Sequence, residues 1–152
     1  MNVEIYKLTE NDLEKLIEQI KLYAAVFETP DFELPAADYL QTLLEKEHII
    51  FLVALFGAEV VGGLTAFVLP SVYFAASEIY VYDLAVKTEH QRKGVGTQLI
   101  AELKNRCAAL GHKEIFVQAD LEDRHAIDFY RKTSGSPEDV IHFSYALTNQ
   151  PE

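Results

Sequence analysis

At 152 residues the chain has the length of one folded domain. Its 49% apolar and 24% charged residues exclude a disordered or fibrous chain, and a lone cysteine, Cys107, excludes an intramolecular disulfide and any multi-cysteine zinc site. Thirteen Lys and Arg against 24 Asp and Glu give a net charge of −11, which repels nucleic acid and anionic membranes and concentrates small cations.

The first element is a short strand, since Val3–Leu8 alternates in polarity. Thr9, Glu10, Asn11 and Asp12 then supply capping and acidic residues, and Leu13, Leu16, Ile17, Ile20 and Tyr23/Ala24 recur at helical spacing, predicting an amphipathic helix over 10–27. Residues 28–38, with Pro30 and Pro35, read as a loop opening a second helix through about Glu45. Ile49–Leu55 and Val60–Leu69 are apolar runs of strand formers joined by a tight turn, and Ser77–Lys87 is a third strand dense in Tyr, Val and Ile. A helix from Gly94 to Leu110 carries Val95, Leu99, Leu103 and Leu110 on one stripe and stops at Gly111. Glu114–Asp120 reads as a strand, 123–133 as a helix, and Val140–Leu147 as a last alternating strand. The order β-α-α-β-β-β-α-β-α-β predicts a single α+β domain with a mixed, mostly antiparallel central sheet flanked by four helices. No apolar run approaches the ~20 residues that span a bilayer. Met1–Lys7 lacks the basic start and apolar stretch of a signal peptide, so the expected address is the reducing cytoplasm.

The junction richest in chemical information follows the third of the long strands. Asp83–Leu84–Ala85–Val86 leads through a short polar connection to Gln91–Arg92–Lys93–Gly94–Val95–Gly96–Thr97, where a helix begins. Glycines there let successive N–H groups surround one point, and the helix start adds roughly half a positive charge, so the site suits a phosphate or pyrophosphate. Arg92 and Lys93 supply side-chain donors beside it. The chain has no G-x-x-x-x-G-K-[ST] phosphate loop. A dinucleotide fold is disfavoured as well, because the third glycine is missing and antiparallel strands come first.

Gln91-x-x-Gly94-x-Gly96, after a strand ending Leu84–Ala85–Val86, resembles the acyl-CoA signature Q/R-x-x-G-x-G/A of the GNAT N-acetyltransferase superfamily. Asp123-x-x-Ala126-x-x-x-Tyr130 resembles its second signature, and the element order matches the superfamily along essentially the whole chain. Tyr130–Gly135 is one residue longer than the usual Tyr-x-x-x-Gly ending, so the loop after that helix is expected to differ in shape. The stretches 77–86, 117–120 and 65–70, with His142–Phe143, are similar to the aminoglycoside 3-N-acetyltransferase branch.

The resemblance implies acetyl transfer from acetyl-CoA to an amine of an aminoglycoside. It places Leu84, Ala85 and Val86 against the pantetheine arm and thioester, and Gln91, Arg92, Lys93, Gly94, Val95, Gly96 and Thr97 around the pyrophosphate. Asp123 is assigned to the same cofactor. Tyr130 is the candidate general acid for the departing thiolate, since a phenol of pKa about 10 can protonate a thiolate whose cysteine analogue has pKa about 8.5. Asp83 leads as the base, with Glu78 and Asp120 as alternatives, and Asp120, Glu28, Asp31 and Glu33 are expected to attract a small cationic amine, Asp38 lying on the same acidic loop. The alternatives are the same chemistry on a polyamine, amino acid or protein amine, or an acyl-CoA-binding module without catalysis. No nucleic-acid, membrane or metal partner is expected, the five histidines lacking ligand spacing; a homodimer is compatible with the sequence.

Overall fold

The computed structural model describes residues 2–148. They fall into two compact units, residues 2–118 and 119–148. In the first, β1 (Glu4–Lys7) is followed by α1 (Leu13–Val26) and α2 (Ala37–Leu44). The strands β2 (Ile49–Phe56), β3 (Glu59–Pro70) and β4 (Ser77–Val86) come next, then a 3-10 turn at Thr88–His90, α3 (Val95–Ala109) and β5 (Glu114–Val117). The sheet order is β1-β2-β3-β4-β5, antiparallel except for the parallel β4–β5 pair. The predicted mixed, mostly antiparallel α+β sheet with four helices is what forms.

Each sheet face has its own core. Ile79, Val81 and Val86 of β4 pack with Leu99 and Leu103 of α3, while Ala85 of β4 joins Leu16 and Leu22 of α1, Leu40 of α2 and Val53 of β2. Burying each such side chain stabilises the fold by roughly 1.5–3 kcal/mol. The β3–β4 register places Thr65 opposite Asp83 but Ala66 opposite Val81, so Tyr82 is an extra residue, a β-bulge. The parallel ladder to β5 stops at the same level, with Val81 opposite Val117. This is why β5 ends at Val117 and not at Asp120: its partner turns away.

In the second unit α4 spans Arg124–Lys132. The expected strand over Val140–Leu147 does not form, and Val140, Ile141, Phe143, Tyr145 and Leu147 are all exposed. Alternation alone does not make a strand; its backbone needs a partner edge, and this segment has none among the described residues. After α4, Ser134 takes φ +74° and Gly135 N–H returns to Tyr130 C=O at 2.8 Å, which is how the additional residue is accommodated.

Candidate active site

The start of α3 is built around Gly94, which caps the helix at φ +85°. The first helical bond runs from Gln98 N–H to Gly94 C=O, so the N–H groups of Val95, Gly96 and Thr97 have no acceptor within the helix. A left-handed residue followed by helical ones points such groups into one concavity, and the helix terminus adds its positive end. Arg92, Lys93 and Gly94 are exposed beside it, Arg92 itself at φ +61°. The connection is held from below, where Gln91 Nε2 donates to Val86 C=O at 2.9 Å. These groups fit a pyrophosphate.

Beyond the bulge, β4 has one edge with no strand beside it among the described residues. Lys87 N–H bonds Val61 C=O on β3 at 2.8 Å, and antiparallel pairing alternates. Asp83 and Ala85 therefore direct their main-chain groups to β3, whereas those of Leu84 and Val86 point to the side that β5 has left. An extended amide-bearing arm can bond there as a missing strand would. Of the three β4 residues expected at this position, Leu84 presents its N–H and C=O and Val86 its N–H, the Val86 C=O accepting from Gln91 Nε2, while Ala85 buries its side chain in the α1 face.

Asp83 is half-buried, and desolvation raises its carboxyl above the usual carboxylate range. Opposite it, Thr65 Oγ1 lies 2.9 Å from the Tyr23 hydroxyl, which accepts from Gln19 Nε2 at 2.7 Å. Gln19 is fully buried and also reaches the Leu52 and Leu64 carbonyls, each at 3.2 Å. Burial pushes the Tyr23 phenol well above its ordinary value, with the Asp83 charge acting in the same direction. Gln19, Tyr23 and Thr65 were not expected at the site. One signal was present: the Gly62–Gly63 pair of β3, where a Cβ on Gly63 would stand 2.7 Å from Gln19 Nε2.

Glu78 lies on β4 opposite Leu69, half-buried, and Tyr80 separates it from the bulge. Glu28, Asp31 and Glu33 are exposed on the α1–α2 loop, with Glu28 and Asp31 at φ +51°, and none forms an ion pair among the described residues. Asp38 accepts from Tyr39 N–H in the first turn of α2. In the second unit Asp120 is exposed, and Asp123 caps α4, its Oδ1 accepting from Ala126 N–H at 3.0 Å. Tyr130 is half-buried with its ring 5.2 Å from that of Phe129. Cys107 is buried on the core-facing side of α3, where burial raises its thiol, so it is inert packing. Among the described residues no group of His, Cys, Asp or Glu could hold a metal, and no helix is long and apolar enough to cross a membrane.

The model of the acetyltransferase (GNAT) family matches residues 13–135. No curated protein matches the chain. Among solved structures, an aminoglycoside acetyltransferase, meta-AAC0020, from an uncultured soil metagenomic sample is similar in two complexes. With trehalose it is 44% identical at TM-score 0.94, covering 96% of this chain and 97% of that one. With sisomicin it is 43% identical at TM-score 0.95, with the same coverage. A second aminoglycoside acetyltransferase from such a sample, HMB0005, is 38% identical at TM-score 0.90, covering 97% of this chain and 100% of its own.

Proposed function

The chain belongs to the GNAT acetyltransferase family, and on that premise we propose that it transfers acetyl from acetyl-CoA to the 3-amino group of an aminoglycoside. The observation that carries the donor half is the free edge of β4 at Leu84 and Val86, which runs toward the amide cradle at Gly94. The acceptor half is supported by the similarity to aminoglycoside acetyltransferases, one of them in complex with sisomicin. The whole chain works as one domain in this reading, supported by the family match, which begins in the first unit and extends to residue 135 in the second.

Bound acetyl-CoA supplies the activated acyl group; the protein supplies position and proton transfers. The cradle of Val95, Gly96 and Thr97 N–H, with Gln91, Arg92 and Lys93 around it, holds the diphosphate, and Leu84, Ala85 and Val86 align the thioester. Asp83 accepts a proton from the substrate ammonium, directly or through water, with Glu78 and Asp120 drawing the cation in. The freed amine attacks the thioester carbonyl, the C–N bond forms, the C–S bond breaks, Tyr130 gives its proton to the thiolate, and the surplus proton on the new amide nitrogen passes through water to restore the Tyr130 phenol. Asp123 contributes by fixing the start of the Tyr130 helix. Glu28, Asp31 and Glu33 add negative potential for a polycation. A cytoplasmic homodimer completes the reading, supported by the exposed apolar residues Ile141, Phe143, Tyr145 and Leu147.

The test is release of free thiol from acetyl-CoA by purified protein given gentamicin, with the product's acetylated nitrogen located by NMR. Silence across a panel of aminoglycosides removes the substrate, and acetyl on another nitrogen removes the position.

A further inference from the structure

Four aromatic rings form a continuous row on the sheet face that carries Asp83. Phe67 meets Tyr82 edge-on at 5.8 Å, Tyr82 meets Tyr80 at 5.6 Å, and Tyr80 stacks on Phe116 at 4.8 Å and 8°. Tyr80 is fixed further by its hydroxyl, which donates to Gln118 Oε1 at 2.8 Å. Tyr82 stands in the middle of the row and is 64% exposed. An exposed tyrosine on a plain strand turns freely; this one is braced by rings on two sides and presents a preset apolar surface to solvent.

Acidic groups border that surface. Asp83 follows Tyr82 directly, Glu78 shares the Tyr80 face of β4, and Glu114 sits opposite Glu78 across the parallel ladder. A rigid aromatic strip edged by carboxylates complements a ligand with a flat C–H face and ammonium groups at its rim. The six-membered ring of an amino sugar or aminocyclitol has that form: its C–H bonds meet the negative face of the aromatic quadrupole, and an ammonium at the rim gains from ring and carboxylate together. A linear polyamine matches the charge and leaves the rings unused. Because the rings are already ordered, little conformational freedom is lost on contact.

We propose that the row Phe67–Tyr82–Tyr80–Phe116 is the acceptor platform, on which an amino-sugar ring lies against Tyr82 with its ammonium groups directed to Asp83 and Glu78. This rests on the acetyl-transfer reading and adds to it the feature that selects ring-bearing amines. Tyr82→Phe keeps both ring contacts and is expected to keep the wild-type Tm, whereas Tyr82→Ala loses the contacts to Phe67 and Tyr80 but no fully buried one and is expected to stay folded with a lowered Tm. The experiment compares wild type, Tyr82→Ala and Tyr82→Phe with gentamicin as acceptor. Tyr82→Ala is expected to raise the gentamicin KM about tenfold with kcat within twofold, and Tyr82→Phe, which keeps the ring, to stay within threefold of wild type. Without acetyl-CoA, gentamicin is expected to shift the ring resonances of Tyr82 and Tyr80. An active wild type whose Tyr82→Ala variant keeps its KM overturns the platform and leaves the function standing. A wild type that transfers nothing but shows the ring shifts overturns the function and leaves the platform. Absent ring shifts overturn the platform in either case.

Discussion

Gly94→Ala tests the anion cradle most directly. A Cβ there meets nothing closer than the Gln98 amide at 3.9 Å, so bulk is not the obstacle. The obstacle is φ +85°, which costs a residue with a side chain about 1–2 kcal/mol. Gly94 is exposed and lightly packed, so the free variant relieves the strain by rotating its backbone out of the left-handed region. Binding the diphosphate then requires that geometry to be restored, and the strain is imposed again in the complex alone. At about 1.4 kcal/mol per tenfold, the Kd for coenzyme A should rise roughly five- to thirtyfold. Gly111→Ala is the control, because Gly111 has φ +78° with open space around it but lies at the far end of α3. Titration calorimetry with coenzyme A should show weakened binding for Gly94→Ala and wild-type binding for Gly111→Ala. A Kd within twofold of wild type for Gly94→Ala refutes the cradle.

Asp83→Asn should lower kcat/KM by about a hundredfold or more, the usual contribution of a general base. It should also raise the Tm at neutral pH: burial holds the folded pKa above the unfolded one, so Asp83 stabilises the fold below about pH 3.9 and loses that contribution as pH rises through its raised value. The Tm gain should close toward pH 4, the wild-type rate should fall as pH drops through the same range, and a variant less stable at pH 7.5 contradicts the account. Tyr130→Phe should cut kcat about a hundredfold with the coenzyme A Kd within twofold, and an unchanged rate removes its acid role. Gly63→Ala drives a Cβ to 2.7 Å from Gln19 Nε2 and 2.8 Å from its Cγ. That should cost about 1–3 kcal/mol, a Tm loss of about 2–4 °C per kcal/mol, and Gln19→Ala in the same chain should recover part of it. Phe143 is 75% exposed. Light scattering should find wild type dimeric and Phe143→Asp shifted to monomer; a monomeric wild type ends the homodimer.

Helix limits were legible where single residues set them. The helix expected over Gly94–Leu110 forms as Val95–Ala109 because Gly94 and Gly111, at φ +85° and +78°, end it from both sides. The shape of the proposed coenzyme A cradle was legible for the same reason, since it lies in consecutive main-chain groups around Gly94. Gln19 was not legible, since on α1 it falls beside the stripe of Leu13, Leu16, Ile17 and Ile20 and only the gap over Gly63 shows that it is buried. The ends of β5 and the fate of Val140–Leu147 depend on which backbone stands opposite, and no residue within either segment specifies that. The bulge left a trace that alternation obscures. The α3-facing residues of β4 run Ile79, Val81, Leu84 and Val86, with two intervening residues between Val81 and Leu84 where a regular strand has one.

That additional residue decides what the sheet can do. In a strand without it, Asp83 would follow Ile79 and Val81 into the α3 core beside Leu99 and Leu103, where an unpaired carboxylate is prohibitively costly unless neutralised. With it, Asp83 comes onto the Thr65 side, buried enough for its carboxyl to be raised, while Leu84 and Val86 return to the core. The kink accompanies the loss of β5 as a partner, which leaves the Leu84 main chain and the Val86 N–H to any extended arm. It also sets Tyr82 beside Tyr80 and Phe67 on the open face. The proposed donor alignment, base and acceptor surface therefore all depend on one backbone irregularity. The apolar spacing on either side of Tyr82–Asp83 maintains it, because restoring strict alternation would carry the acid into the α3 core and take Leu84 out of it.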